Sequence, residues 1–289
     1  MSDVEKHPLL ARGHIFLAAG VYDALSAKLA QRAGFHSVVL SGYGVAAALL
    51  GEPDIGLLTQ TEMLETARRV CRAVDIPVVV DGDTGYGGAL NVMHMVRELV
   101  QMGARGVILE DQTWPKRCGH MRGKSVIPME EHCQKIRAAK EAKGDAPFLI
   151  TARTDARGPL GLDEAIRRGN HYKAAGADFI FIEAPQSVEE LREIARRVDA
   201  PLVLNNIEGG KTPILSLEEI CELGFISVGF VLTGLFAAAR ALEEAYRHLL
   251  EHGGSTALGP RMMDFDEFAS VIGLEDKYRL DERFKEAPR

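Results

Sequence analysis

Short apolar runs rich in β-branched residues recur along the chain, and each precedes a segment whose apolar positions repeat every three or four residues. The runs Ile15–Ala19, Ser37–Ser41, Pro77–Asp81, Gly106–Glu110, Phe148–Arg153, Asp178–Glu183, Pro201–Asn205 and Ile226–Phe230 read as strands. Asp23–Ala33, Gln60–Val74, Leu90–Met102, Met129–Lys143, Leu162–Ala175, Val188–Val198 and Thr233–Glu251 read as helices. Val78-Val-Val and Phe179-Ile-Phe-Ile have no polar face, so both faces must be covered, as in a parallel sheet flanked by helices. Phrases such as Met102-Gly-Ala-Arg-Gly place glycine where a helix stops and a strand begins. About eight such units in unbroken alternation predict an α/β fold, a (β/α)8 TIM barrel. The alternative is an open doubly wound sheet, which usually has fewer strands and often a glycine-rich phosphate loop after the first; no such loop follows here.

A chain of 289 residues is routine for one barrel, and no Pro-, Ser- or charge-rich linker divides it. Residues 1–289 are therefore expected to form a single barrel domain, with 257–289 as a C-terminal helical extension. Its amphipathic stretches Phe265–Ile272 and Leu274–Phe284 must bury an apolar side on their own barrel or on a neighbouring subunit. Lys and Arg number 34 against 41 Asp and Glu, a net charge of −7 that opposes nucleic-acid binding. No apolar run reaches the roughly 20 residues that span a bilayer, so no membrane partner is expected. Cys71, Cys118, Cys133 and Cys221 show no CxxC spacing, and Met1–Arg12 is charged and lacks the apolar segment of a signal peptide. A cytoplasmic location is the expectation.

In a parallel barrel the reactive face lies at the C-terminal strand ends. Those ends are rich in acids: Asp81-Gly-Asp-Thr-Gly after strand three, Glu110-Asp-Gln after strand four, Arg153-Thr-Asp after strand five and Glu183 after strand six. Converging carboxylates repel one another unless a cation or a proton neutralises them. Oxygen-only ligation favours Mg²⁺ or Mn²⁺, with Asp81, Asp83 and Glu110 as candidates and Asp54 as a fourth. Asp81 and Asp83 as turn or helix caps are the plainer alternative. Arg153 can fork a substrate carboxylate or form a buried ion pair with Asp155. The segment Trp114-Pro-Lys-Arg-Cys-Gly-His-Met-Arg-Gly-Lys brings one thiol, one imidazole and four cations into a loop with Gly119 and Gly123 as hinges. Such cations would lower the pKa of Cys118 and let it exchange a proton, while the loop closes on a small anionic substrate.

Lys116-Arg-Cys-Gly-His, Ser41-Gly-Tyr, Pro53-Asp-Ile-Gly-Leu, Asp81-Gly-Asp-Thr-Gly, Glu110-Asp-Gln, Ala152-Arg-Thr-Asp-Ala and Glu208-Gly-Gly-Lys-Thr-Pro together resemble the isocitrate lyase and phosphoenolpyruvate mutase superfamily. The likeness covers nearly the whole chain in the same order and is strongest to the 2,3-dimethylmalate lyase and petal death protein branch. It implies a (β/α)8 barrel, Mg²⁺ or Mn²⁺, and a homotetramer, a dimer of dimers, whose subunits exchange the eighth helix. It implies that Asp81 binds the metal most directly and that Asp54, Asp83 and Glu110 hold it through water. Tyr43, with backbone groups of Ser41, Gly42 and Gly44, would meet the α-oxo acid end, and Arg153 its carboxylate. Cys118 would be the acid/base on the gating loop, with Arg117, Gly119, His120, Glu183, Asn205 and Thr233 completing the pocket. The implied activity is cleavage of a 2-hydroxy di-acid, such as a 2-alkylmalate, into pyruvate and a carboxylate. Alternatives are oxaloacetate hydrolysis or decarboxylation, 2-methylisocitrate cleavage, carboxyphosphonoenolpyruvate mutation and, in a different class, an α-oxo acid-binding barrel without chemistry. Two positions depart from the branch: Asn206, usually Met, and Val231, usually Pro in its lyases and Ser in oxaloacetate hydrolases.

Overall fold

A computed structural model describes residues 15–285. The charged segment Met1–Arg12 and residues 286–289 of the tail lie outside the described residues. Its eight strands are β1 (Phe16–Val21), β2 (Ser37–Leu40), β3 (Val78–Asp81), β4 (Gly106–Glu110), β5 (Leu149–Thr154), β6 (Phe179–Ile182), β7 (Val203–Asn205) and β8 (Ser227–Phe230). All neighbours pair in parallel in the order β6-β5-β4-β3-β2-β1-β8-β7, and a parallel bridge between Ile180 and Leu202 joins the two ends. The barrel expected from the alternation is the one observed.

The helices are α1 (Ala24–Arg32), α2 (Gly42–Val45, continued by a π turn at Ala46–Leu50), α3 (Gln60–Ala73), α4 (Ala89–Gln101), α5 (Met129–Lys143) and α6 (Arg157–Leu160). They continue with α7 (Leu162–Ala175), α8 (Val188–Arg197), α9 (Leu217–Glu222), α10 (Thr233–His252), α11 (Phe265–Ile272) and α12 (Leu274–Lys285). Strand side chains alternate between two environments, as a pleated backbone requires. Val38 and Leu40 of β2 join the core shared with the helices, while Ser37 and Val39 line the barrel interior. Phe16, Val79, Leu149, Phe179, Val203 and Ile226 pack together inside the barrel.

Strand β1 runs two residues beyond its expected end because Gly20 is part of it. A Cβ there would stand 2.0 Å from the Val231 carbonyl oxygen, so this glycine admits the chain leaving β8. Helices α2, α6 and α9 were not expected; at four, four and six residues they are too short for a period to show, although Ser216 and Glu219 form a capping box on α9. The tail meets its own barrel where Arg32 of α1 pairs with Glu267 of α11 at 3.0 Å. Helix α10 has no buried residue, and Phe236, Leu242, Tyr246, Leu249 and Leu250 are exposed on it. No helix of the described residues is long and apolar enough to cross a membrane.

His132 of α5 is fully buried against Tyr172 of α7, the ring centroids 4.6 Å apart. Burial foremost, with Lys135 and Arg168 adding, pushes it down to about 3 from 6.5. Between those values the unfolded chain binds a proton that the folded chain refuses, so stability falls as pH drops through 6.5. This group alone should remove about 2 kcal/mol between pH 7 and pH 5. Denaturant titrations at both pH values should show His132→Phe losing correspondingly less than the native protein, and equal losses would refute it.

Candidate active site

The C-terminal ends of the strands and the loop after β4 enclose one small pocket. Ser41, Tyr43, Asp54, Asp81, Cys118, Gly119, His120, Arg153, Glu183 and Asn205, all expected at the site, line it together with the apolar Val39, Ile108, Phe181, Ile207, Val231 and Leu232. Asp83 and Glu110 sit behind this lining, each 1% exposed. Asp81 accepts hydrogen bonds from the Gly42 N–H (3.2 Å) and the Asp83 N–H (3.1 Å). A Cβ on Gly42 would come within 3.0 Å of the Asp81 carboxylate, which explains glycine at that turn.

Lys116 was expected only as one of the loop cations, yet it is a central member of the site. Its ammonium is buried 2.6 Å from both Asp54 Oδ1 and Asp83 Oδ1. Arg153 is equally engaged: its guanidinium reaches Asp155 (2.9 Å), Glu183 (3.1 Å) and Glu110 (3.3 Å). The ion pair with Asp155 considered from sequence is therefore present, and a substrate carboxylate would have to share this fork. Lys124 adds a third cation, 2.6 Å from Asp155.

Repulsion among the acids does not by itself demand a metal, because lysine and arginine are already inside the cluster. They do not balance it. Asp54, Asp81, Asp83, Glu110, Asp155 and Glu183 face Lys116, Arg153 and Lys124, with His120 Nε2 3.1 Å from Glu183 Oε1. Burial raises Asp83 to about 6 despite Lys116, with Asp81 and Asp54 adding to the rise, and holds Glu110 well above the usual carboxylate range despite Arg153. Asp83 Oδ1 is held by the Lys116 ammonium, whereas Glu110 Oε1 has no hydrogen-bond partner among the described residues. That oxygen and the excess of carboxylates over cations suit a hard divalent cation. Among the described residues no three His, Cys, Asp or Glu side chains converge on one point as a ready ligand cage, so the fit is to an ion that keeps most of its water.

The loop cations do not activate Cys118 as expected. Lys116 turns to Asp54 and Asp83, and Arg117 is exposed, its guanidinium donating to the Arg122 carbonyl at 3.2 Å. Burial, with Glu183 and Asp54 adding to it, instead pushes the Cys118 thiol up to about 11. The sulfur carries its proton at neutral pH, which suits a proton donor. Burial, the Cys118 sulfur and Asp54 likewise raise Tyr43 and keep its phenol protonated.

Other expected members fall outside the lining. Gly44 N–H donates to Ser41 Oγ (3.3 Å) and Gly42 N–H to Asp81, so neither amide is free for a ligand. Arg117 points outward. Thr233 donates to Glu208 (2.6 Å) and neither lines the pocket nor caps α10, whose N-cap is Leu232. Asn206 is buried, donating to the Leu215 carbonyl (3.1 Å), so of the two departing positions only Val231 faces the pocket. Gly119 serves close approach more than hinging: a Cβ would stand 2.4 Å from Glu183 Cγ.

Fold and site define an enzyme-like (β/α)8 barrel whose acid-rich pocket is lined in part by a thiol-bearing loop. Known proteins are similar to this chain in sequence and in fold. The family model described as phosphoenolpyruvate phosphomutase matches residues 6–250. The petal death protein of Dianthus caryophyllus is 51% identical over 280 residues, covering 96% of this chain and 88% of that protein. The carboxyvinyl-carboxyphosphonate phosphorylmutase of Arabidopsis thaliana is 47% identical (96% and 83%), and the 2,3-dimethylmalate lyase of Eubacterium barkeri 41% (92% and 92%). Among solved structures, an oxaloacetate acetylhydrolase with 3,3-difluorooxalacetate aligns with a TM-score of 0.92 at 32% identity, covering 100% and 99% of the two chains. A phosphonopyruvate hydrolase in complex with oxalate and Mg²⁺ aligns at 0.88 and 30%, covering 99% and 100%. The chain belongs to the phosphoenolpyruvate mutase family, within the phosphoenolpyruvate mutase/isocitrate lyase superfamily, and is an enzyme. Its place among these relatives supports carbon–carbon lyase chemistry.

Proposed function

We propose that the protein is a Mg²⁺-dependent lyase that cleaves a 2-alkylmalate such as 2,3-dimethylmalate into pyruvate and a simple carboxylate. The observation that carries this reading is the mixed lining of the pocket. Ser41, Tyr43, Asp81 and Arg153 supply polar groups, Val39, Ile108, Phe181, Ile207, Val231 and Leu232 apolar ones, and the neutral thiol of Cys118 belongs to the same lining. An alkyl branch suits the apolar part of the lining. The third carboxylate of methylisocitrate would need a further cation, and Lys116, Arg153 and Lys124 are already paired with acids. Oxaloacetate hydrolysis requires an oriented water, for which Val231 and Leu232 offer no side-chain hydrogen bond.

Asp81 would hold the metal directly, with Asp54, Asp83 and Glu110 binding its waters. When bound, Mg²⁺ supplies Lewis-acid polarisation of the 2-hydroxy acid oxygens. Arg153 fixes a substrate carboxylate, and Tyr43 donates its phenolic hydrogen to the oxo-acid end. The 2-hydroxyl gives its proton to a carboxylate of the site, and its oxygen electrons form the carbonyl of pyruvate. The C2–C3 bond breaks with its electrons moving to C3, and the Cys118 proton is delivered to that carbon, the resulting thiolate regaining the proton taken from the hydroxyl. The loop shields the carbanionic fragment from water. We also propose that further copies of this chain cover the exposed apolar face of α10, in a homotetramer that exchanges this helix.

A panel of 2-alkylmalates, oxaloacetate and 2-methylisocitrate, each with Mg²⁺, tests the reading. Pyruvate from 2,3-dimethylmalate should exceed, by at least about a hundredfold in kcat/KM, oxalate release from oxaloacetate. The strong structural likeness to oxaloacetate acetylhydrolase makes hydrolysis the second reading, and the opposite ratio would establish it.

A further inference from the structure

Lys124 stands on the returning arm of the loop and makes contacts that the proposed chemistry leaves unexplained. The base of this loop is a stem: Thr113 N–H donates to the Ser125 carbonyl (2.9 Å) and Ile127 N–H to the Asp111 carbonyl (2.8 Å). The excursion between these pairs is anchored over the pocket by Lys116 on Asp54 and Asp83, by the Lys211 N–H donating to His120 Nδ1 (2.8 Å), and by Lys124. Lys124 Nζ lies 2.6 Å from Asp155 Oδ1, the two side chains 4% and 0% exposed, and it also donates to the Gly119 carbonyl. Arg153 donates to the same carboxylate, Nη2 to Oδ1 (3.1 Å) and Nε to Oδ2 (2.9 Å). One carboxylate oxygen is thus shared by an ammonium from the loop and the guanidinium in the pocket.

We propose that Lys124 is a positioning residue that ties closure of the loop to presentation of Arg153 and Cys118. The proposal rests on the reading of the pocket as an oxo-acid site. Glu110, Asp155 and Glu183 compete with any substrate carboxylate for the N–H groups of Arg153. An ammonium on Asp155 Oδ1 takes up part of that demand, weakening the hold of this oxygen on Nη2 and adding positive charge beside the incoming anion. The same ammonium holds the Gly119 carbonyl, and with it the main chain joining Cys118 to His120. Asp155 cannot follow the loop, because its own N–H donates to Asp111 Oδ1 (2.9 Å). Asp111 Oδ2 is in turn held by Thr154 (2.7 Å), Tyr172 (2.7 Å) and Arg168 (2.9 Å). The contact therefore joins a loop to a rigid base, where a buried ion pair fixes geometry more than it adds stability.

Lys124→Met removes the charge and keeps the stem, and Lys124→Arg restores the charge. The test follows iodoacetamide alkylation of Cys118 by peptide mass, with Mg²⁺ and oxalate as the probe, together with steady-state kinetics. Lys124→Met should be alkylated about tenfold faster than the native enzyme and need about tenfold more oxalate for protection, with KM rising more than kcat falls. Lys124→Arg should return most of the protection. Native alkylation and native oxalate protection in Lys124→Met would overturn the proposal, as would Lys124→Arg behaving like Lys124→Met. Melting temperatures check folding, and Lys124→Gln, which keeps a donor for Gly119, replaces the Met variant should that one not fold. A substrate panel without turnover alongside shifted alkylation would remove the lyase reading and leave this one standing; the reverse result would remove only this one.

Discussion

Asp81→Asn should lower turnover by at least about a thousandfold at saturating substrate, since a lost Lewis acid removes several kcal/mol of charge stabilisation and about 4 kcal/mol is three decades in rate. Asn keeps one oxygen to accept from the Gly42 or Asp83 N–H, so the turn after β3 should survive and the effect should fall on cation binding. Asp83→Asn should act more mildly, weakening metal affinity by about 10- to 100-fold, as expected for a residue that holds the metal's water. Mn²⁺ binding followed by electron paramagnetic resonance, in parallel with kcat against Mg²⁺ concentration, separates the two variants. A native kcat in Asp81→Asn, or full activity in chelator-treated enzyme without added metal, would refute the assignment.

Cys118→Ala should cut kcat at least about a hundredfold while leaving Mn²⁺ affinity nearly unchanged, the loss expected for a positioned general acid. The thiol must arrive protonated, and burial beside Glu183 and Asp54 keeps it so. For an acid, activity is retained below its pKa and lost above it. The basic limb of kcat/KM due to this group should therefore appear only as pH approaches about 11. Cys118→Ser, with a still less acidic donor, should remain nearly as slow as the alanine variant. A native rate in Cys118→Ala would remove the residue from the mechanism. A basic limb near pH 7 that disappears in this variant would mean that the sulfur acts as thiolate, as the cations around it in the sequence suggest.

That last contrast shows how far the chain can be read without its structure. Strand and helix order was legible because apolar periodicity is local, and Val78-Val-Val or Phe179-Ile-Phe-Ile have few other ways to be buried. Most candidate site residues were legible too, since a parallel barrel brings together whatever follows its strands, and Asp81, Arg153 and Glu183 do. The errors share one cause. Lys116, Arg117 and Cys118 are consecutive, so a cation in sequence looked like a cation beside the sulfur. In space their side chains diverge, Lys116 into the acids and Arg117 outward, leaving the thiol among groups that raise its pKa. Thr233 misled in the same way: it lies next to a pocket strand in sequence, yet its hydrogen bond to Glu208 turns it elsewhere.

By itself the sequence determined the barrel, the acidic strand ends, the family and the loop that carries the thiol, because these follow from short-range pattern and from motif order. Only the tertiary structure decided which cation meets which carboxylate, that Arg153 is shared among three acids, that Cys118 is a protonated thiol, and that Lys124 reaches Asp155. Those facts depend on side-chain direction and desolvation. Both are set by contacts between residues tens of positions apart, which no local pattern encodes.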